Sequence, residues 1–148
     1  MLTKTKSKEY LSDGIIELRL RRVARKHAFL PIAYQYEIYK YQSKELIGRC
    51  DYRCENNEEN YYAGNIGYMI LPQFRGNGYA GLATQLLCEL ARKMRVKKLY
   101  ITCSPDNLAS KRTIEKLSVS FIEEVAVPQH HYLYVQGEKV KNIYLLKL

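Results

Sequence analysis

The chain has no tryptophan, three phenylalanines and three histidines in 148 residues. No apolar run approaches the roughly 18 residues of a membrane span, so no membrane partner is expected. No Pro/Gly/Ser-rich linker, internal repeat or low-complexity tract divides the sequence, which predicts a single domain over residues 1–148. Cysteines are limited to Cys50, Cys54, Cys88 and Cys103. Cys50 and Cys54 have three residues between them and no second pair. His27, His130 and His131 do not complete a zinc-type spacing, so no metal site is expected. Free thiols in a reducing compartment follow, with Cys88 and Cys103 read as small core residues. The N-terminal MLTKTKSKEY is basic and lacks the apolar stretch of a secretory signal, which makes a cytoplasmic location the expectation.

Acidic residues are outnumbered. Fifteen Asp and Glu face 24 Lys and Arg, a formal net charge of +9. That balance favours polyanionic partners, either nucleic acid or a nucleotide cofactor carrying several phosphates. The basic residues are spread over 4–8, 19–26, 92–98 and 139–147 without one dense tract. A solvated basic surface accounts for much of this. A hydrophobic share of 47% is ordinary for a globular chain with a sizeable core.

Residues 14–22 (GIIELRLRR) alternate through Ile16, Leu18 and Leu20 and predict a strand. Residues 33–41 predict a second, with Tyr34, Tyr36 and Ile38 on one face. Residues 45–53 predict a third, after a short turn near Ser43. The polar, acidic residues 54–60 (CENNEEN) read as a hairpin connection to a fourth strand at 61–71 (YYAGNIGYMIL), which stops at Pro72. Further on, 98–103 (KLYITC) is a short strand, Asp106 or Asn107 can cap a helix with Ser110, Ile114 and Leu117 inward, and 121–127 and 140–147 are β-like. The order predicts an α+β, mixed sheet rather than a doubly wound one.

Glycines number only eight, yet Gly76, Gly78 and Gly81 share one short stretch. They lie between the 61–71 segment and an amphipathic run of Leu82, Ala83, Leu86, Leu87, Leu90, Ala91 and Met94, spaced by three and four. Strand, glycine-rich turn and helix in this order aim several backbone N–H groups and a helix dipole into one small volume. That is an anion site, with phosphate the favoured anion. It is no Walker loop, since Tyr79-Ala80 rather than Lys-Ser or Lys-Thr follows Gly78. Gly76-x-Gly78-x-x-Gly81 matches a dinucleotide spacing, but four strands precede it and Lys97-Lys98 stand where the acidic residue belongs.

Arg75-x-x-Gly78-x-Ala80, directly after a strand ending at Pro72, resembles the acetyl-CoA-binding motif of the GNAT N-acetyltransferase superfamily. The stretch IGYMILPQFRGNGYAGLATQLLCELARK resembles that family's fourth strand, pyrophosphate loop and following helix. ITCSPDNLASKRTIEKLS resembles its next strand and helix, with Asn107 and Ser110 matching Asn-x-x-Ala/Ser. The pairing of GxIGY with ITC…DNxAS is most similar to a predicted-acetyltransferase branch. The resemblance covers roughly residues 60–122. It implies a central, mostly antiparallel sheet of about seven strands with flanking helices.

The resemblance further implies acetyl-CoA as co-substrate. Arg75, Gly76, Asn77, Gly78, Tyr79 and Ala80 would hold its pyrophosphate. The backbone of Tyr68, Met69 and Ile70 would pair with the pantetheine arm, in a gap where the family's fourth and fifth strands splay apart. One amide near Met69 or Ile70 would face the thioester oxygen. Asn107, with Ser110, would contact the coenzyme or a nearby water. The reaction implied is transfer of an acetyl group to a primary amine of a small molecule or peptide by direct attack. The alternative is a non-catalytic, acyl-CoA-binding module. A nucleic-acid-binding reading explains neither Arg75–Ala80 nor Asn107 and ranks last.

Two departures stand out. Some relatives place a glutamate five residues before the Asn107 position and a tyrosine seven after it; here Thr102 and Ile114 occupy those places. The catalytic acid and base are therefore unassigned, with Tyr132 and Tyr134 as weak candidates. Glu55, Glu58 and Glu59 could attract a cationic amine, or form a solvated hairpin tip. The family's first helical pair has only residues 23–32 (VARKHAFLPI) to occupy, so it is shortened or missing. The acceptor side is then open, or completed by a second copy of the chain. Ser118 also replaces a glycine usual at the end of the fourth helix.

Overall fold

The computed structural model describes residues 8–148; most of the basic N-terminal stretch lies outside them. The chain divides into two compact units. One runs through Cys54 and then takes Ile66–Arg95; the other combines Glu55–Asn65 with Val96–Leu148. Among the described residues, no helix is long and apolar enough to cross a membrane.

The first unit is a five-stranded antiparallel sheet in sequential order: β1 (Tyr10–Ser12), β2 (Ile16–His27), β3 (Leu30–Lys40), β4 (Leu46–Arg53) and β5 (Ile66–Ile70). The period-two alternation seen in the sequence is used as expected. Leu18, Ile38, Gly48 and Ile70 lie across from one another through successive strand pairs, as do Tyr36, Cys50 and Tyr68. Helix α2 (Tyr79–Lys93) covers this face with Ala83, Leu86, Leu87, Leu90 and Ala91, all buried. Each such leucine contributes on the order of 1.5–3 kcal/mol by leaving water. The opposite face of the sheet carries Arg19, Gln35, Glu37, Arg49, Asp51, Gly67 and Met69.

Residues 23–32 hold no helix. Strand β2 continues to His27, and β3 starts at Leu30, so a long hairpin fills the place where the resemblance implied a helical pair. β-branched Val23 and Ile32 begin and end the segment, and Pro31 lacks the N–H a helix interior needs.

The second unit is a three-stranded antiparallel sheet, ordered β6 (Lys98–Cys103), β8 (Val140–Lys147), β7 (Val119–Ala126). It also contains α1 (Glu58–Ala63), α3 (Leu108–Glu115) and the short α4 (Tyr132–Val135). Leu99, Ile101, Ile114, Leu133, Ile143 and Leu146 are buried. The expected α+β, mostly antiparallel architecture is present, and among the described residues its strands number eight in two sheets, with β5 and β6 in different sheets.

The expected strand at 61–71 needs correction. Its first part is α1, and the strand begins only at Ile66. Local chemistry overrides the aromatic β-propensity. Asn57 caps the helix by accepting from the Asn60 N–H at 2.9 Å, and Glu58 and Glu59 occupy the first turn, where the dipole favours anions. Gly64 at φ 85° then ends the helix, its N–H donating to the Asn60 carbonyl at 2.8 Å. The same change removes the expected 54–60 hairpin connection, so Glu58 and Glu59 sit on a helix rather than at a hairpin tip. Asn65 follows; its N–H donates to the Tyr100 carbonyl at 2.7 Å, and its side-chain oxygen accepts from the Tyr100 N–H at 2.8 Å.

Candidate active site

Strand β5 is the last strand of its sheet. The Leu71 N–H donates to the Ile47 carbonyl at 2.8 Å, which fixes the phase of the antiparallel ladder. Met69, paired with Arg49, therefore turns its backbone groups toward β4, whereas Tyr68 and Ile70 turn theirs to the sheet's outer edge. Gly48 supports this placement: a Cβ there would collide with the Met69 carbonyl. Of the two amides proposed to face a thioester oxygen, Ile70 is the one directed outward.

A 3-10 turn, Pro72–Phe74, leads from β5 to the glycines. Gly76 has φ 83° and Gly78 φ 76°, the left-handed region that L side chains seldom adopt. Asn77 Nδ2 donates to the Phe74 carbonyl at 2.9 Å and closes the turn on itself. Arg75 Nε donates to the Ile70 carbonyl at 2.9 Å. The helix then opens with Leu82 N–H donating to the Gly78 carbonyl at 3.2 Å. Among the described residues, the amides of Gly76, Asn77, Gly78, Tyr79, Ala80 and Gly81 have no protein acceptor. Helix starts leave such donors by geometry, and here the turn adds more. A Cβ at Gly76, Gly78 or Gly81 would meet nothing within 4 Å, so the space in front of these amides is open.

In the second unit, Asn107 is the N-cap of α3, and its side-chain oxygen accepts from the Ser110 N–H at 3.1 Å. The two residues of the Asn-x-x-Ser motif are thus joined. Thr102 Oγ1 donates to the Tyr62 carbonyl at 2.8 Å, and Ile114 is fully buried. Neither position offers an acid or base. Tyr132 is 40% exposed and its ring stacks on His131, centroids 4.8 Å apart. Tyr134 lies beneath the Lys139 ammonium, 4.9 Å from the ring centre. His131 Nδ1 accepts from the Leu133 N–H at 3.1 Å, which leaves Nε2 to donate to the Glu59 carbonyl at 3.0 Å. Glu58 reaches His130 at 2.6 Å. Sequence reasoning did not find this histidine pair, because its partners on α1 were read as loop.

Burial sets the remaining titrations. It pushes the Cys88 thiol up to about 11 and raises Cys50 and Cys103, so these groups stay protonated and inert near neutrality. Burial, with a hydrogen bond to Glu123, pushes the Tyr61 hydroxyl up to about 12.

An edge strand, a turn with two left-handed glycines and a helix whose first amides are unspent follow one another in an α+β fold. The chain belongs to the acetyltransferase (GNAT) domain family, whose model matches residues 5–119. It is 29% identical over 75 residues to the uncharacterized N-acetyltransferase YnaD of Bacillus subtilis (strain 168). That match covers 50% of this chain and 42% of YnaD, so the chain spans less than half the length of this curated relative. Among solved structures, the ribosomal-protein-S5-alanine acetyltransferase from Vibrio fischeri superposes with a TM-score of 0.69 at 14% identity, covering 93% of this chain and 96% of that one. The microcin C7 self-immunity acetyltransferase MccE, solved with acetyl-CoA and AMP, gives 0.62 at 22%, covering 79% and 62%. At these identities the structural likeness speaks for the fold alone.

Proposed function

We propose that the chain is an acetyl-CoA-dependent N-acetyltransferase, working as one domain over residues 1–148 and passing an acetyl group to a primary amine of a small molecule or peptide. The observation that carries this reading is the set of unspent amides at Gly76–Gly81 immediately beyond the outward-facing edge of β5. The residues suit the coenzyme. Amides of the turn and the start of α2 match a pyrophosphate, the outer edge of β5 at Tyr68 runs along the proposed path of the pantetheine arm, the Ile70 N–H is left for the thioester oxygen, and Arg75 holds the turn against the strand through the Ile70 carbonyl. Asn107 Nδ2 is not the group used in capping and is available to a coenzyme or a water.

In this reading the amine nitrogen, as the free base, attacks the thioester carbonyl. The C–N bond forms, the C–S bond breaks, and the Ile70 N–H accommodates charge on the oxygen. The thiolate leaves, and the amine's extra proton passes to water. With Thr102 and Ile114 engaged elsewhere, positioning carries the rate. The acid and base are otherwise unassigned, and Tyr132 and Tyr134 are the candidate side chains for protonating the thiolate. The test is release of free CoA thiol from acetyl-CoA across an amine panel, with saturable coenzyme binding measured in parallel.

The same engagement of Thr102 and the burial of Ile114 favour a second reading, a domain that binds acyl-CoA without turnover. Tight coenzyme binding with no thiol release across the panel would select it.

A further inference from the structure

The face of the five-stranded sheet opposite α2 contains an open cavity of about 470 Å³, broadly exposed to solvent and lined chiefly by Arg21, Gln35, Arg49, Asp51, Arg53 and Met69. Its charges are not balanced. Asp51 is taken by Arg53, with Nε to Oδ2 at 2.8 Å, and the pair lies over Gly67, where a Cβ would stand 2.5 Å from Asp51 Oδ1. Glu17, on the same face, is taken by Arg19 at 2.8 Å. Glu37 lies across from Arg49 in register yet forms no ion pair with it. Among the described residues, Arg21 and Arg49 therefore face the cavity without a carboxylate.

Arg21 follows Glu17 and Arg19 onto that face by strand alternation. Successive pairs Leu20↔Tyr36 and Arg22↔Gln35 skip it, which marks a bulge in β2 at Arg21. A bulge leaves one residue outside the pairing. Arg49 lies directly across from Met69, so its side chain rises beside β5. Two like charges on one open surface repel each other, and an anion between them relieves that repulsion. The Gln35 amide adds a neutral donor.

We infer that this cavity binds the carboxylate of the amine acceptor, held by Arg21 and Arg49, so that the substrates are primary amines bearing a carboxylate. The inference rests on the transferase reading and names its acceptor. Arginine forks match a planar carboxylate. The Asp51 carboxylate in the same lining disfavours a dianion such as phosphate. The position beside Met69 leaves the acceptor's amine next to the strand whose Ile70 amide is directed outward.

The test is isothermal titration of matched ligands into the protein, alone and with CoA: 4-aminobutanoate against 4-aminobutanamide, and Ala-Glu-Glu against Ala-Gln-Gln, with inorganic phosphate as a further probe. The carboxylate member of each pair should bind about tenfold or more tightly. The Arg21→Gln/Arg49→Gln double variant should erase the difference while keeping its thermal midpoint and acetyl-CoA affinity, and the double lysine variant should restore part of it. Equal binding of both members, a preference that survives in the double glutamine variant, or tighter binding of phosphate would overturn the proposal. Thiol release is read alongside. A retained carboxylate preference with no thiol released from any amine upholds the anion site and sinks the transferase reading. Thiol release at equal kcat/KM from both members does the reverse.

Discussion

Arg75 Nε donates to the backbone carbonyl of Ile70 across 2.9 Å, so the residue that opens the glycine turn is tied to the residue that ends β5. A guanidinium in this place is first a brace, since it fixes the turn's amides relative to the edge of the strand. Arg75→Ala should weaken acetyl-CoA binding about tenfold in a titration. Arg75→Lys keeps the charge but not the planar fork and should recover only a small part. Full recovery in the lysine variant would mean that charge, not the brace, is what matters.

Gly78 and Gly81 separate two requirements that a motif alone merges. Gly78 needs its left-handed φ of 76°, whereas Gly81 lies in α2 with ordinary helical geometry. Gly78→Ala should therefore cost about 1–2 kcal/mol of stability in denaturant unfolding, although its methyl would meet no neighbour. Gly81→Ala should add about 0.5 kcal/mol, because alanine suits a helix better. Its methyl would also stand where the coenzyme phosphates are proposed to lie, so acetyl-CoA affinity should fall as stability rises. A Gly81→Ala variant with unchanged affinity would move the phosphates away from the first turn of α2.

The alternating strands and α2 were legible because each buries one face, and burial imposes a period on the sequence. Strands 98–103 and 140–147 were found with the bounds they have. The helix α1 was not legible in Tyr61-Tyr62-Ala63, whose aromatic content suits a strand. The signal lay upstream, in Asn57 followed by Glu58 and Glu59, and downstream in Gly64. The motif named the turn, but not that Arg75 is held by Ile70 or that Met69 turns toward β4. Those depend on ladder phase, which no single residue type encodes. The cavity with Arg21 and Arg49 was hidden because strand pairing is what brings residues of β2 and β4 to one face, and the sequence shows only a run of arginines.

Gly48 reports on how closely β4 and β5 approach. A Cβ at this position would meet the Met69 carbonyl, and Ile70 Cα at 3.0 Å, both backbone atoms that cannot rotate aside. Gly48→Ala should lower stability by about 1–3 kcal/mol through overpacking. It should also weaken coenzyme binding, since β5 is the strand that must move. A thermal midpoint and affinity equal to the parent would show that β5 shifts without consequence.

Stability should fall on both sides of neutral pH. Burial opposes ionisation of Glu17, but the Gln42 N–H at 2.7 Å and the Arg19 guanidinium outweigh it and hold the carboxyl below its ordinary value. A lowered folded-state value gives stability that is present above the unfolded value, about 4.3, and lost as pH falls through the folded one. Cys88 behaves oppositely. Burial pushes its thiol up to about 11, so its contribution is full below the unfolded value of about 8.5 and is lost as pH rises toward 11. Glu17→Gln should be less stable than the parent at pH 7, with the gap closing in acid. Cys88→Ala should flatten the alkaline limb of a midpoint-against-pH profile. A Glu17→Gln gap that persists unchanged below pH 3 would refute the assignment.

Asn107 is assigned two duties that one pair of variants can separate. Its side-chain oxygen caps α3 through the Ser110 N–H at 3.1 Å, while its Nδ2 is the atom proposed to serve the coenzyme or a bound water. Asn107→Ala removes both and should cost about 1 kcal/mol of stability together with acetyl-CoA affinity. Asn107→Asp keeps a good cap, since aspartate accepts from the same amide and favours a helix start, but it offers no donor and adds a negative charge. Its thermal midpoint should match the parent, and its affinity for the anionic coenzyme should fall at least as far as in the alanine variant. If the aspartate variant instead binds acetyl-CoA like the parent, Asn107 is a cap alone, and the Asn-x-x-Ser motif serves the fold of α3 rather than the ligand.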